Sequence, residues 1–155
     1  MRIFYLALIT VFLSSSCNTK TKKIDSEQEP LPIIGTWKLI SGTVINGKDT
    51  TITDYTKNQK MIKIINQSHF AFLRHDLNNG KDSTAIFVSG GGKYSVDGNK
   101  YTEYLEYCNY REWENNTFEF EYRISGDTLI TVGIEKVEKI GVDHLNIEKL
   151  IRVKE

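Results

Sequence analysis

From Ile33 onward, apolar and polar side chains alternate in short runs, and each run ends at a turn-forming pair. Thr117 to Ile124 shows the pattern best: Phe118, Phe120 and Tyr122 alternate with Thr117, Glu119, Glu121 and Arg123. A period of two puts one set of side chains on a buried face and the other in water, which is a half-buried strand. Gly35 to Ile40 repeats it, with Trp37 and Leu39 set against Lys38. Asn46-Gly47, Asp97-Gly98 and Ser125-Gly126-Asp127 are turn signals, because their residues tolerate positive φ. Gln67-Ser68 turns Lys60–Asn66 into His69–His75, and Asp76–Asp82 is a longer polar loop. Further strands are predicted at Ala85–Val88, Lys93–Val96, Tyr101–Tyr110, Thr128–Gly133 and Ile147–Val153, and one helical turn at Tyr110–Asn115. Roughly eight or nine short strands with polar turns predict an all-β sandwich or barrel.

The first residues belong to another pattern. Arg2 is followed by an apolar run, Ile3 to Leu13, broken only by Tyr5 and Thr10. That is about the ~7–15 residues of a signal-peptide core and short of the roughly 20 needed to span a bilayer. Leu13-Ser14-Ser15-Ser16-Cys17 resembles the lipobox of bacterial lipoproteins. The resemblance implies a signal peptide over 1–16 and a mature chain that begins at lipidated Cys17 and is anchored to the membrane. An ordinary signal peptide cut nearby, leaving Cys17 free, is the alternative. A diacylated cysteine holds a small domain firmly, whereas one acyl chain does not. Residues 17–32 are polar and charged without apolar periodicity, as a flexible tether is. Extended, they reach about 50 Å. The domain is expected over 33–155.

Composition narrows the function. Lys plus Arg and Asp plus Glu are both 20, so no basic excess points to nucleic acid and no charge block to a membrane-surface patch. With Cys17 acylated, Cys108 has no partner for a disulfide; it is expected to be a buried thiol. His69 and His75 share strand parity but stand ~20 Å apart along a strand. No metal site and no cofactor is therefore expected. Cys108 with a histidine and Glu103 or Glu106 could form a catalytic cluster, but a satisfied buried network is the expected reading. Arg111, Glu112, Trp113 and Glu114 are read as a rim loop. Gly90-Gly91-Gly92 is read as a bend or bulge, because the Lys93–Val96 strand that follows offers no helix N-terminus for a phosphate.

Several runs together resemble a family: Gly35-Thr36-Trp37, Lys63-Ile64-Ile65-Asn66, His69-Phe70-Ala71-Phe72, Gly90-Gly91-Gly92-Lys93-Tyr94, Tyr101 to Tyr107, and Gly126-Asp127-Thr128-Leu129. Over Ile33–Lys154 they look like the lipocalin-like domains of secreted proteins and lipoproteins of Gram-negative bacteria. The resemblance implies an antiparallel up-and-down barrel of about eight strands with an internal cavity. It also implies a C-terminal basic residue packed over Trp37 to close the floor; Arg152 is placed to do so, and Lys149 and Lys154 are nearby. It carries no catalytic residues. A barrel of that size holds side chains or one small ligand.

Which residues face inward is open on two strands. Tyr101, Glu103, Leu105 and Tyr107 lie on one face of a regular strand, and Tyr104, Glu106 and Cys108 on the other. Cys108 favours the second face as the inner one. The other open strand sets His69, Ala71, Leu73 and His75 against Phe70, Phe72 and Arg74. The leading expectation is a small, partly apolar ligand held by Phe70, Phe72, Tyr94, Tyr104, Phe118 and Phe120, with Glu106 and Arg74 fixing its orientation. The protein would then be lipid-anchored in the cell envelope, at the outer membrane, in periplasmic or surface-facing orientation. The alternatives are a filled barrel that binds an envelope protein, and an enzyme using the cavity carboxylate.

Overall fold

The computed structural model describes residues 32–154. The expected signal peptide 1–16, Cys17 and the 17–32 tether except Pro32 lie outside the described residues. Nine strands follow one another: β1 Gly35–Asn46, β2 Asp49–Asp54, β3 Gln59–Ile65, β4 His69–Asp76, β5 Phe87–Asp97, β6 Lys100–Cys108, β7 Asn116–Ser125, β8 Thr128–Val137 and β9 Val142–Arg152. Short 3-10 turns at Arg111–Trp113 and Glu138–Ile140 join β6 to β7 and β8 to β9.

Each strand from β3 to β9 pairs antiparallel with the next, and β9 returns to β1. The result is a closed eight-stranded antiparallel barrel. β2 pairs with Ser41–Asn46 of β1, and β3 with Gly35–Lys38, so β2 and β3 lie end to end along one edge of β1. Closure leaves the short β2 as the edge strand, and it carries Asp49 and Asp54 at its two ends, a common way to blunt an edge. All these pairings, and the core, fall within Ile33–Arg152.

Three of the expected turns hold a glycine at positive φ: Gly47, Gly98 and Gly126. The C-terminal strands are longer than the alternation indicated. β8 runs on to Val137 and β9 begins at Val142, because Glu135, His144, Asn146 and Glu148 occupy inward positions that an apolar pattern does not mark. β2, all polar but for Ile52 and exposed along nearly its whole length, offers no alternation to read.

The core fills one end. Trp37, Leu39, Ile65, Phe70, Tyr101, Leu129 and Leu150 are almost wholly buried there, and Ile33 lies beneath them. Each such side chain contributes about 1.5–3 kcal/mol by leaving water. Trp37 Nε1 donates to the Ile33 carbonyl at 2.8 Å, which satisfies its one polar atom. The Arg152 guanidinium stacks over the Trp37 ring, 4.1 Å from its centroid, and donates to the Ile34 and Pro32 carbonyls at 2.8 and 2.6 Å. Gly35 makes room for it: φ is +143°, and a Cβ there would meet Arg152 Nη1 at 2.5 Å.

Two bulges re-aim side chains. In β1 the pairing with β9 skips Ile40. In β6 it skips Glu106, with Gly91 opposite Tyr107 and Gly92 opposite Leu105. A Cβ on Gly92 would overlap the Tyr104 carbonyl, so the glycine run lets the two backbones approach at the bulge. An extra residue reverses the parity of everything after it. Tyr101, Glu103 and Leu105 therefore face inward, and so does Cys108. This corrects the placement of Tyr104 and Glu106 in the interior: Tyr104 is exposed, and Glu106 lies outside, where it accepts a hydrogen bond from the Lys93 amide. The inference from Cys108 failed because the strand is not regular.

Candidate functional site

Above the apolar floor the barrel holds a cavity of about 350 Å³. Its lining includes the apolar side chains of Met61, Phe72, Ile86, Val88, Leu105 and Trp113. Interspersed with them are Lys63 on β3, Glu103 on β6, Glu135 on β8 and Glu148 on β9. Arg74, Tyr55, Cys108 and Tyr110 complete the lining.

Strand parity puts Lys63 inside. It lies between Met61 and Ile65 on the inward face, and its neighbours in the chain point out. Its ammonium donates to Glu103 Oε1 at 2.9 Å and to Glu148 Oε2 at 3.0 Å, with only 5% of its side chain exposed. Burial alone would pull the Lys63 pKa down; the two carboxylates overcome that and hold it above its ordinary value. Thr131 Oγ1 donates to the same Glu148 oxygen at 3.5 Å.

A second cluster adjoins it. Asn146 Nδ2 donates to Glu135 Oε1 at 2.8 Å, and His144 Nε2 lies 3.0 Å from Glu135 Oε2. Burial first, and then the charge of Glu148, push the Glu135 carboxyl above its usual range, while the bonds from Asn146 and His144 act against them. Tyr101 lies wholly buried below, and among the described residues its hydroxyl has no hydrogen-bond partner. Burial and the nearby Glu103 charge raise its pKa, so it stays protonated.

Arg74 stands between Met61 and Val88 in the barrel register. Its Nε donates to Gln59 Oε1 at 2.8 Å, and its guanidinium lies 5.1 Å from the centroid of the Tyr55 ring. Cys108 is a free thiol whose pKa is pushed up, chiefly by burial. A protonated thiol is a poor nucleophile. Glu114 caps this corner by accepting from the Cys108 amide at 3.0 Å and from Arg111 Nε at 2.8 Å. Among the described residues no group of three His, Cys, Asp or Glu side chains is placed to hold a metal ion.

Of the residues chosen from the sequence, Phe72 and Arg74 line the cavity. Phe70, Phe118 and Phe120 are buried in the packed core: Phe70 stacks on Phe72, Phe118 packs on Trp113 and Phe120 on Tyr101. Tyr94 is half-buried at the floor, and its hydroxyl donates to the Asn66 carbonyl. On β4, Phe70, Phe72 and Arg74 face inward, which settles the second open strand. Sequence reasoning missed Lys63, Glu135 and Glu148. Opposite charges at inward parity on β3 and β9 are a readable signal for such a network, once the strands are placed.

The fold and the site together define an up-and-down β-barrel protein with a half-filled interior and a charged cavity. No protein-family model and no curated protein matches the chain. Among solved structures, the chain is similar to the crystal structure of a mutant of the fluorescent protein UnaG. The likeness has 9% identity and a TM-score of 0.36, and covers 79% of this chain and 97% of that one.

Proposed function

We propose that the chain is a lipocalin-like lipoprotein of the Gram-negative cell envelope, anchored through Cys17, whose barrel cavity binds a small, partly apolar molecule. The observation that carries the binding reading is the cavity of about 350 Å³, lined by apolar side chains with a few charged ones among them. Walls of that kind, with a few fixed polar groups, are the usual chemistry of small-molecule sites. Phe72 and Arg74 keep the roles expected of them. Glu103 and Glu148 take over the one assigned to Glu106, because they stand inside and Glu106 does not.

Native mass spectrometry of residues 18–155 tests the binding reading. A copurifying small mass, lost on denaturation, is expected. Bare protein from every host, with no uptake from a metabolite extract, would sink it. The anchor is tested separately: Cys17→Ser should move the protein from the membrane fraction to the soluble one.

A second reading, binding of an envelope protein, draws on the outer face. Ile64, Leu73, Phe87 and Tyr107 are exposed there across β3 to β6. It gains if the cavity proves empty in every host.

A further inference from the structure

The cavity wall carries two cations in opposite situations. Lys63 sits between Glu103 and Glu148 and donates to both. Arg74 has no such partner. Among the described residues no carboxylate lies within 4.0 Å of its nitrogens, and the only hydrogen bond it makes is from Nε to Gln59. A guanidinium has five N–H donors. Those on the two terminal nitrogens find no acceptor among the described side chains and carbonyls. The Tyr55 ring covers the group, and Met61 and Val88 flank it in the register. Arg74 is half-buried and its terminal nitrogens reach the cavity space, where a counter-charge is screened less than in open water.

The carboxylates are better provided. Glu103 Oε1 accepts from Lys63, Glu148 Oε2 from Lys63 and Thr131, and both Glu135 oxygens have partners in Asn146 and His144, while Glu103 Oε2 and Glu148 Oε1 accept no bond among the described residues. An incoming amine would have to share Glu103 and Glu148 with Lys63 and would meet the charge of Arg74. An incoming anion would find the open donors of Arg74.

We infer that the cavity takes an amphipathic molecule with a single anionic group, of carboxylate or sulfonate type, held by Arg74, with its apolar body along Phe72, Ile86, Val88 and Leu105. This rests on the ligand-binding reading above and adds the sign and seat of the ligand's charge. The planar fork of the guanidinium matches two oxygens of one acid group.

The test uses residues 18–155, which contain all the described strands and their core, and two fluorophores with one ring system. Anilinonaphthalene sulfonate carries the anion, and phenylnaphthylamine lacks it. Arg74→Met keeps most of the volume and removes the charge. The sulfonate's affinity should fall by roughly tenfold to a hundredfold, the scale of a charge-assisted hydrogen bond. The neutral probe should change by less than about threefold, which also shows that the variant folds with its cavity intact.

A measurement on the wild type needs no variant. Saturating sulfonate should shield Arg74 from phenylglyoxal, read as the adduct mass on its peptide. If Arg74 reacts as fast with the sulfonate bound, or if Arg74→Met weakens both probes alike or neither, the anion seat is wrong while the cavity reading stands. If the wild type binds neither probe, both fall together.

Discussion

Glu135 is a carboxylate held where its charge is disfavoured. Burial and Glu148 raise its pKa more than Asn146 and His144 lower it. The folded protein therefore keeps a proton on Glu135 at pH values where the unfolded chain, with its glutamate near ~4.3, has lost it. By linkage, this group's contribution to stability is present below that unfolded value and is lost as pH rises through the folded one. Glu135→Gln removes the charge and keeps the shape. It should melt a few degrees above the wild type at about pH 7.5, and the two should converge as pH approaches about 4. Thermal unfolding followed by circular dichroism across that range decides it; a variant that melts lower at neutral pH would mean that the His144 and Asn146 contacts need the full carboxylate. Lys63 is the opposite case. Its charge is well partnered, but a buried ion pair is weak evidence of net stabilisation, because desolvating three charges offsets much of their attraction.

At the scale of single strands, the bulge in β6 decides which side chains meet the cavity. Deleting Glu106 should restore a regular ladder, with Tyr107 opposite Gly91 following Leu105 opposite Gly92, and leave Cys108 facing inward opposite Gly90. Wild-type Cys108 is buried with a raised thiol pKa and should react slowly with a maleimide. The deletion should leave that rate within about threefold at neutral pH, measured by mass. A roughly tenfold or greater increase would mean that the strand beyond the bulge slips by one register step and turns Cys108 outward. This strand also shows where the sequence stopped being readable. β7 was legible because Phe118, Phe120 and Tyr122 alternate cleanly with charges. The turns were legible because glycine and asparagine mark backbone that other residues avoid. The inner face of β6 was not, because a bulge depends on the partner strand: only opposite Gly92 does the backbone close in enough to expel Glu106 from the ladder. The acids of β8 and β9 were hidden for a related reason. A buried charge reads as a solvated one until its counter-charge, 85 residues away for Lys63 and Glu148, is brought beside it.

For the molecule as a whole, closure is the decisive event. β9 must find β1 across nearly the full length of the domain, and long-range antiparallel pairing of that kind folds in milliseconds to seconds. Arg152 fastens the join, since it stacks on Trp37 and bonds the Ile34 and Pro32 carbonyls from the last strand. Arg152→Ala loses charge-assisted bonds and a cation–π contact together and should cost about 2–4 kcal/mol. Urea denaturation followed by tryptophan fluorescence reads that loss. A change below about 0.5 kcal/mol would show that the packed floor closes without the clamp. The same clamp gives the barrel a direction. Pro32 is held against the sealed floor, whereas Tyr55, Ile86, Trp113 and Glu135 line the cavity at the other end. Under the proposed anchoring through Cys17, the chain would enter the barrel at this sealed base, and the membrane attachment would lie on the floor side. The rim would then be the end remote from the point of attachment, left open to a ligand that arrives through water.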